Sequence, residues 1–173
     1  MHADNANFQA GLSKVESYEM LVMSLEGLLV ENWVSNLANT ASLLWHHFHS
    51  QPSPQKDVNW AGFYTTATAN QLALGPFMGK VACQTIDFGR GVCGAAAATG
   101  KTQIVQNVHS HPDHIACDGD TKSEIVVPII NEGRIVGVID IDCTELNGFD
   151  QVDAEWLEKI ARLLAPSFKA STQ

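Results

Sequence analysis

Ser123-Glu124-Ile125-Val126-Val127-Pro128-Ile129-Ile130, Asn131-Glu132-Gly133, Arg134-Ile135-Val136-Gly137-Val138-Ile139-Asp140-Ile141-Asp142 is the stretch on which the fold turns. Val and Ile crowd both flanks, and branched side chains suit a pleated strand better than a helix. The polar triplet between them ends in glycine, as a tight hairpin turn requires. Two antiparallel strands are therefore predicted over 123–130 and 134–142. A side-chain period of two puts Asp140 and Asp142 on one face, and the hairpin brings Glu124 near them.

Working towards the N-terminus, 107–121 is a long polar loop holding His109, His111 and His114, and loops of that length are often functional. A short strand is expected over 103–108. Before it, Gly89-Arg90-Gly91 leads into a run of small residues, 92–99, read as a short helix stopped by Gly100. A strand is expected over 80–87. From Asn59, Trp60, Gly62 and Tyr64 alternate with Ala61, Phe63 and Thr65, a further strand whose hairpin partner is 71–77.

The outer segments change period. Ser13 and Glu16 form a capping box for a helix over 13–30, with Tyr18, Leu21, Val22 and Leu25 at helical spacing. A second helix carries Trp33, Leu37, Ala41, Leu44 and Phe48 on one stripe. Asp150 caps a closing helix that buries Leu157, Ile160 and Leu164 until Pro166 limits it. The fold class is thus α+β, a mostly antiparallel central sheet with helices packed on it. One domain over 1–173 is expected: N-terminal helices at about 13–49, sheet and loops at about 58–143, closing helix at about 150–168.

Composition narrows the partners. The formal charge is −9 with only 10 Lys plus Arg, which leaves no basic stripe for nucleic acid or an anionic membrane surface. No apolar run approaches the roughly 20 residues of a membrane span, and residues 1–10 lack the pattern of a secretion signal, so a cytoplasmic protein is expected. Cys83, Cys93, Cys117 and Cys143 are then read as free or catalytic thiols, not as a structural disulfide framework. The histidine loop offers imidazoles at irregular spacing, so neither a metal nor a bound cofactor is assigned.

Several residues could carry chemistry. Cys93 falls at a helix start, where backbone N–H groups and the helix dipole lower a thiol pKa; the alternative is a small side chain packed under the sheet. Cys117 lies in the long loop, where a thiol can meet a substrate and then a second thiol. Glu124, Asp140 and Asp142 would crowd like charges and keep one acid protonated, unless they are a solvated strand rim. Trp60 and Tyr64 share a face with Gly62 between them, either two rings flanking a gap in a pocket wall or plain core.

Together, 59–64, 75–83, Gly89-Arg90-Gly91-Val92-Cys93-Gly94, 114–118, 123–128 and 137–142 resemble the free methionine-R-sulfoxide reductases, which are GAF-domain enzymes. Cys83, Cys93 and Cys117 have that family's spacing, and Cys143 lies outside the trio. The resemblance implies reduction of the free R epimer of methionine sulfoxide, with thioredoxin as external reductant. It favours Cys117 as nucleophile and Cys83 as first resolving thiol. The helix-start argument points instead to Cys93, which stays open as nucleophile or as resolving partner.

Glu124 and Asp142 are then candidates to protonate or polarise the sulfoxide oxygen, Asp140 to hold the ammonium, and Trp60 and Tyr64 to enclose the S-methyl end. The apolar stripe of the first helix is a candidate homodimer interface. Two other readings compete. A GAF domain acting only as a small-molecule sensor would normally be joined to an output domain and would not need three cysteines. A zinc hydrolase would use the histidine loop.

Overall fold

The computed structural model describes residues 2–9, 11–110 and 118–168. Helix α1 (Lys14–Leu28) opens on the expected capping box, the Ser13 side chain accepting from the Glu16 amide while the Glu16 carboxylate accepts from the Ser13 amide. Helix α2 is Trp33–Ser50, capped by Asn32. Strands β1 (Val58–Thr68) and β2 (Gln71–Gly79) form a hairpin, and β3 (Thr85–Asp87) pairs with β2. Helix α3 (Gly91–Thr99) ends at Gly100, whose φ of 65° is the left-handed cap the sequence anticipates. Strand β4 (Gln103–Val105) precedes the β5 (Ser123–Asn131) and β6 (Arg134–Cys143) hairpin, and α4 (Gln151–Leu164) closes the fold from Asp150.

The six strands lie in the order β3-β2-β1-β6-β5-β4, every neighbouring pair antiparallel. Alternation divides the sheet's two faces. Ala61, Phe63, Ile125, Val127, Ile139 and Ile141 point to one side and pack with α1, α2 and α4 in the larger core. Trp60, Tyr64, Val126 and Val138 point to the other, where α3 supplies Val92, Cys93 and Ala96 to a smaller cluster. Asp140 and Asp142 share this second side with Val138, because side chains two apart in a strand fall on one face.

Three expectations change. The strand expected over 80–87 shrinks to β3, because 80–83 leaves the ladder to cross the second face, while the Gln84 carbonyl still accepts from the Leu74 amide at 3.0 Å. On that face the carbonyls of Lys80 and Cys83 are taken by side chains instead, accepting from Trp60 Nε1 and the Tyr64 hydroxyl at 3.1 Å each. The strand over 103–108 ends at Val105, and a 3-10 turn, Val108–Ser110, follows. The apolar stripe of α1 is consumed internally: Tyr18, Leu21 and Leu25 are fully buried, and the helix leaves only Val15 and Met23 among its large apolar residues exposed. Among the described residues, no helix is long and apolar enough to cross a membrane.

Candidate active site

The second face carries a cavity of about 590 Å³, its open mouth included, lined by Trp60, Tyr64, Cys93, Glu124, Asp140 and Asp142 among others. Three elements supply the polar floor. Glu124 stands opposite Asp142 across the β5–β6 ladder, Asp140 lies two residues before it, and α3 brings Cys93 over them. The carboxyl trio expected from the hairpin is therefore assembled, and it is not a solvated rim: Glu124 and Asp140 are each only 7% exposed, and Asp142 is half-buried.

Burial and mutual repulsion govern these groups. Desolvation, then the charges of Asp140 and Asp142, push the Glu124 carboxyl well above the usual carboxylate range. Burial, then the Asp140 charge, does the same to Asp142. Asp140 is pushed up by burial to about 6, held from rising further by hydrogen bonds from Cys93 and Glu124. It is thus the first of the three to ionise, flanked by proton-holding partners. Its Oδ1 is buried and, among the described residues, has no hydrogen-bond partner.

Cys93 departs from the sequence argument. It does sit in the first turn of α3, but it is 4% exposed, and burial followed by the charges of Asp140 and Glu124 drives its thiol well above the normal value. A helix dipole contributes on the order of 1 kcal/mol near the terminus, whereas full burial beside carboxylates outweighs it. Cys93 is a buried thiol that donates to Asp140, and its burial opposes the thiolate that its helix position suggests. Cys83 is disulfide-bonded, while Cys93 and Cys143 are free. Cys143 belongs to the opposite core, its Sγ donating to the Pro54 carbonyl at 3.2 Å. Cys117, with His111 and His114, lies outside the described residues.

The aromatic wall also differs from its expected form. Trp60 and Tyr64 do not flank a gap: their rings stack at 5.8 Å between centroids, and Trp60 stacks in turn on Phe77 at 5.2 Å. Gly62 permits this, since a Cβ there would collide with Phe77 and lie 2.8 Å from the Trp60 ring. Phe77 thus backs the Trp60 ring, a role that strand alternation alone did not single out; the β1–β2 register, pairing it with Gly62, is the signal that locates it.

A second set went unmarked in the sequence. Asp118, directly after Cys117 in the chain, accepts from Asn59 at 3.2 Å and pairs with Lys80 at 3.3 Å, and Asn59 also donates to Thr121 at 3.1 Å. Hydrogen bonding from the Asp120 amide, the largest influence lowering it, together with Lys80, holds Asp118 ionised below the usual range. These contacts pin the chain on the C-terminal side of Cys117 to β1 and to the 80–83 crossing. Among the described residues, the group able to hold a metal ion is Cys93, Glu124 and Asp140, and no histidine takes part.

Comparison with known proteins places this geometry in a context. Residues 55–168 match the GAF domain family. The chain is 57% identical over 171 residues to the free methionine-R-sulfoxide reductase of Saccharomyces cerevisiae, covering 96% of this chain and 93% of that protein. A solved structure of a GAF domain, 56% identical, superposes with a TM-score of 0.92 over 96% of each chain. The free methionine-R-sulfoxide reductase of Neisseria meningitidis, in complex with its substrate, is 41% identical and superposes with a TM-score of 0.86, covering 99% of this chain and 98% of its own.

Proposed function

The chain belongs to the free methionine-R-sulfoxide reductases, thiol-dependent oxidoreductases of the GAF fold, and on that premise we propose how its own residues reduce free L-methionine-R-sulfoxide to L-methionine. The observation that carries the proposal is the buried carboxyl trio under the Trp60–Tyr64 stack. It offers a proton donor and an ammonium site within one small pocket.

Asp140, the most readily ionised of the three, takes the substrate ammonium on its unpartnered Oδ1. Glu124, with Asp142 opposite, keeps its proton at neutral pH and delivers it to the sulfoxide oxygen. The rings of Trp60 and Tyr64 enclose the S-methyl group and favour one epimer. A peptide-bonded methionine sulfoxide lacks the free ammonium that Asp140 would hold, so it is refused.

Cys117 is the nucleophile. Its thiolate attacks the sulfoxide sulfur, the oxygen is protonated and passes to the cysteine, and methionine leaves behind a sulfenic acid. The Cys83 thiol then attacks the sulfenic sulfur, forming a disulfide and releasing water. Thioredoxin opens that disulfide in the cytoplasm, oxidising its own dithiol. Preference for Cys117 over Cys93 is supported by the buried, elevated thiol of Cys93, which makes it a poor nucleophile. The disulfide at Cys83 supports a redox role for that residue.

The test is consumption of free L-methionine-R-sulfoxide with dithiothreitol, beside the S epimer, an N-blocked R sulfoxide and Cys117→Ser protein. Turnover of the free R epimer alone, abolished in the variant, is the expected result. Binding of the sulfoxide without turnover by the fully reduced protein would favour a sensor instead.

A further inference from the structure

The cavity floor has a second capability that the reductase reading does not use. Cys93 Sγ and one carboxylate oxygen each of Glu124 and Asp140 lie within 4.8 Å of one another, and all three residues are buried. A tetrahedral zinc site, with Zn–S near 2.3 Å and Zn–O near 2.1 Å, holds its ligand atoms about 3.4 to 3.6 Å apart. Small side-chain rotations around a bound ion close that difference.

A second observation supports a cation at the cluster. Asp140 lines the cavity and is 7% exposed, yet among the described residues its Oδ1 has no hydrogen-bond partner. The cationic side chains that also line the cavity, Lys80 and Arg90, are exposed, and Lys80 is already paired with Asp118 and Asp120 at 3.3 and 3.1 Å. Carboxylates this buried require a positive partner or must hold protons, and a multivalent cation compensates several of them together.

The donor set selects the ion. A sulfur ligand favours zinc-class cations over magnesium or calcium, and three converging side chains cannot supply the six to eight oxygens that calcium takes. We propose that Cys93, Glu124 and Asp140 bind a thiophilic divalent cation of the zinc class, with Asp142 or a solvent oxygen as fourth ligand, and that this cation shuts the pocket to substrate. On binding, the Cys93 thiol and the Glu124 carboxyl give their protons to solvent as the metal–sulfur and metal–oxygen bonds form, and no electron is transferred. The exclusion of substrate rests on the ammonium and acid roles proposed above; the metal site itself does not.

The experiment titrates the fully reduced, full-length protein anaerobically with Co²⁺, read by the near-ultraviolet thiolate-to-cobalt charge-transfer band, followed by displacement with Zn²⁺. The band should saturate at a single equivalent per chain. It should persist when Cys83 and Cys117 are both replaced by Ser, vanish in Cys93→Ser, and require at least an order of magnitude more metal in Asp140→Asn, which preserves shape. A band that survives Cys93→Ser, or that disappears with Cys83 and Cys117, overturns the site. Free methionine sulfoxide should displace the cobalt. Cobalt held by Cys93 that the sulfoxide fails to displace overturns the exclusion of substrate while leaving the metal site, and so separates the two claims.

Discussion

Glu124 on β5 stands opposite Asp142 on β6, and burial makes both hold their protons within the same antiparallel ladder that carries Asp140. Pairing acids across a ladder is normally unfavourable. Here it leaves a carboxylic acid protonated at neutral pH beside a carboxylate, the arrangement that the proposed division between proton donor and ammonium site draws on.

That division predicts different kinetics for the two neutral isosteres. Glu124→Gln should lower kcat for free methionine-R-sulfoxide by about 10²- to 10⁴-fold, the range of a lost general acid. Asp140→Asn should raise KM more than it lowers kcat, because it removes ground-state binding of the ammonium. Steady-state assays of both variants check the pair, and the reverse pattern would exchange the two roles.

The thiols are separated by a single turnover without reductant. Cys83→Ser protein should release methionine stoichiometric with Cys117 and accumulate a sulfenic acid that a dimedone-type reagent traps. Cys93→Ser should still form the disulfide. Mass spectrometry of the quenched protein reads both outcomes, and a trapped sulfenic acid on Cys93 would reverse the assignment.

Gly62→Ala tests the stacked wall. The added methyl collides with Phe77 and crowds the Trp60 ring, so the variant should lose about 1 to 3 kcal/mol of stability, as overpacking does. Urea denaturation measures the loss. KM should rise as well, because the wall of the pocket is displaced.

His47 predicts an acid-side loss of stability. It is fully buried, its Nδ1 bonded to Ser17 Oγ at 2.7 Å, and Phe8, Tyr18 and Phe48 pack around its ring. Burial, aided by the Lys14 charge, pulls its pKa down to about 3. The unfolded chain, with a histidine pKa near 6.5, therefore binds the proton first. Stability from the neutral imidazole is complete above pH 6.5 and is lost as pH falls towards 3, about 2 kcal/mol of it between pH 7 and pH 5. Glu124, Asp140 and Asp153, whose pKa values are raised, act in the opposite sense. Comparing wild type with His47→Leu by urea midpoints at pH 7 and 5 isolates the histidine, and the variant should show the smaller acid-side loss.

Periodicity and punctuation made most of the architecture legible. The Ser13–Glu16 box, the Asp150 cap, Gly100 and the 131–133 turn act over a few residues, so their effect can be read wherever they occur. The carboxyl trio was legible for the same reason: a period of two and a hairpin are enough to bring Glu124, Asp140 and Asp142 together. The 80–83 crossing was not, because the Lys80 and Cys83 carbonyls are satisfied by Trp60 and Tyr64, about twenty residues away in the chain.

What the sequence determined by itself is the order of elements, the inward face of each strand, and the residue types that meet at the pocket. Only the tertiary structure decided the state of those residues: Cys93 as a buried protonated thiol, Trp60 stacked between Tyr64 and Phe77, Asp140 with an unpartnered oxygen. Local pattern encodes where a side chain points. Desolvation, ring stacking and charge repulsion depend on what other elements place around it, and that environment exists only once β1, α3, β5 and β6 have come together.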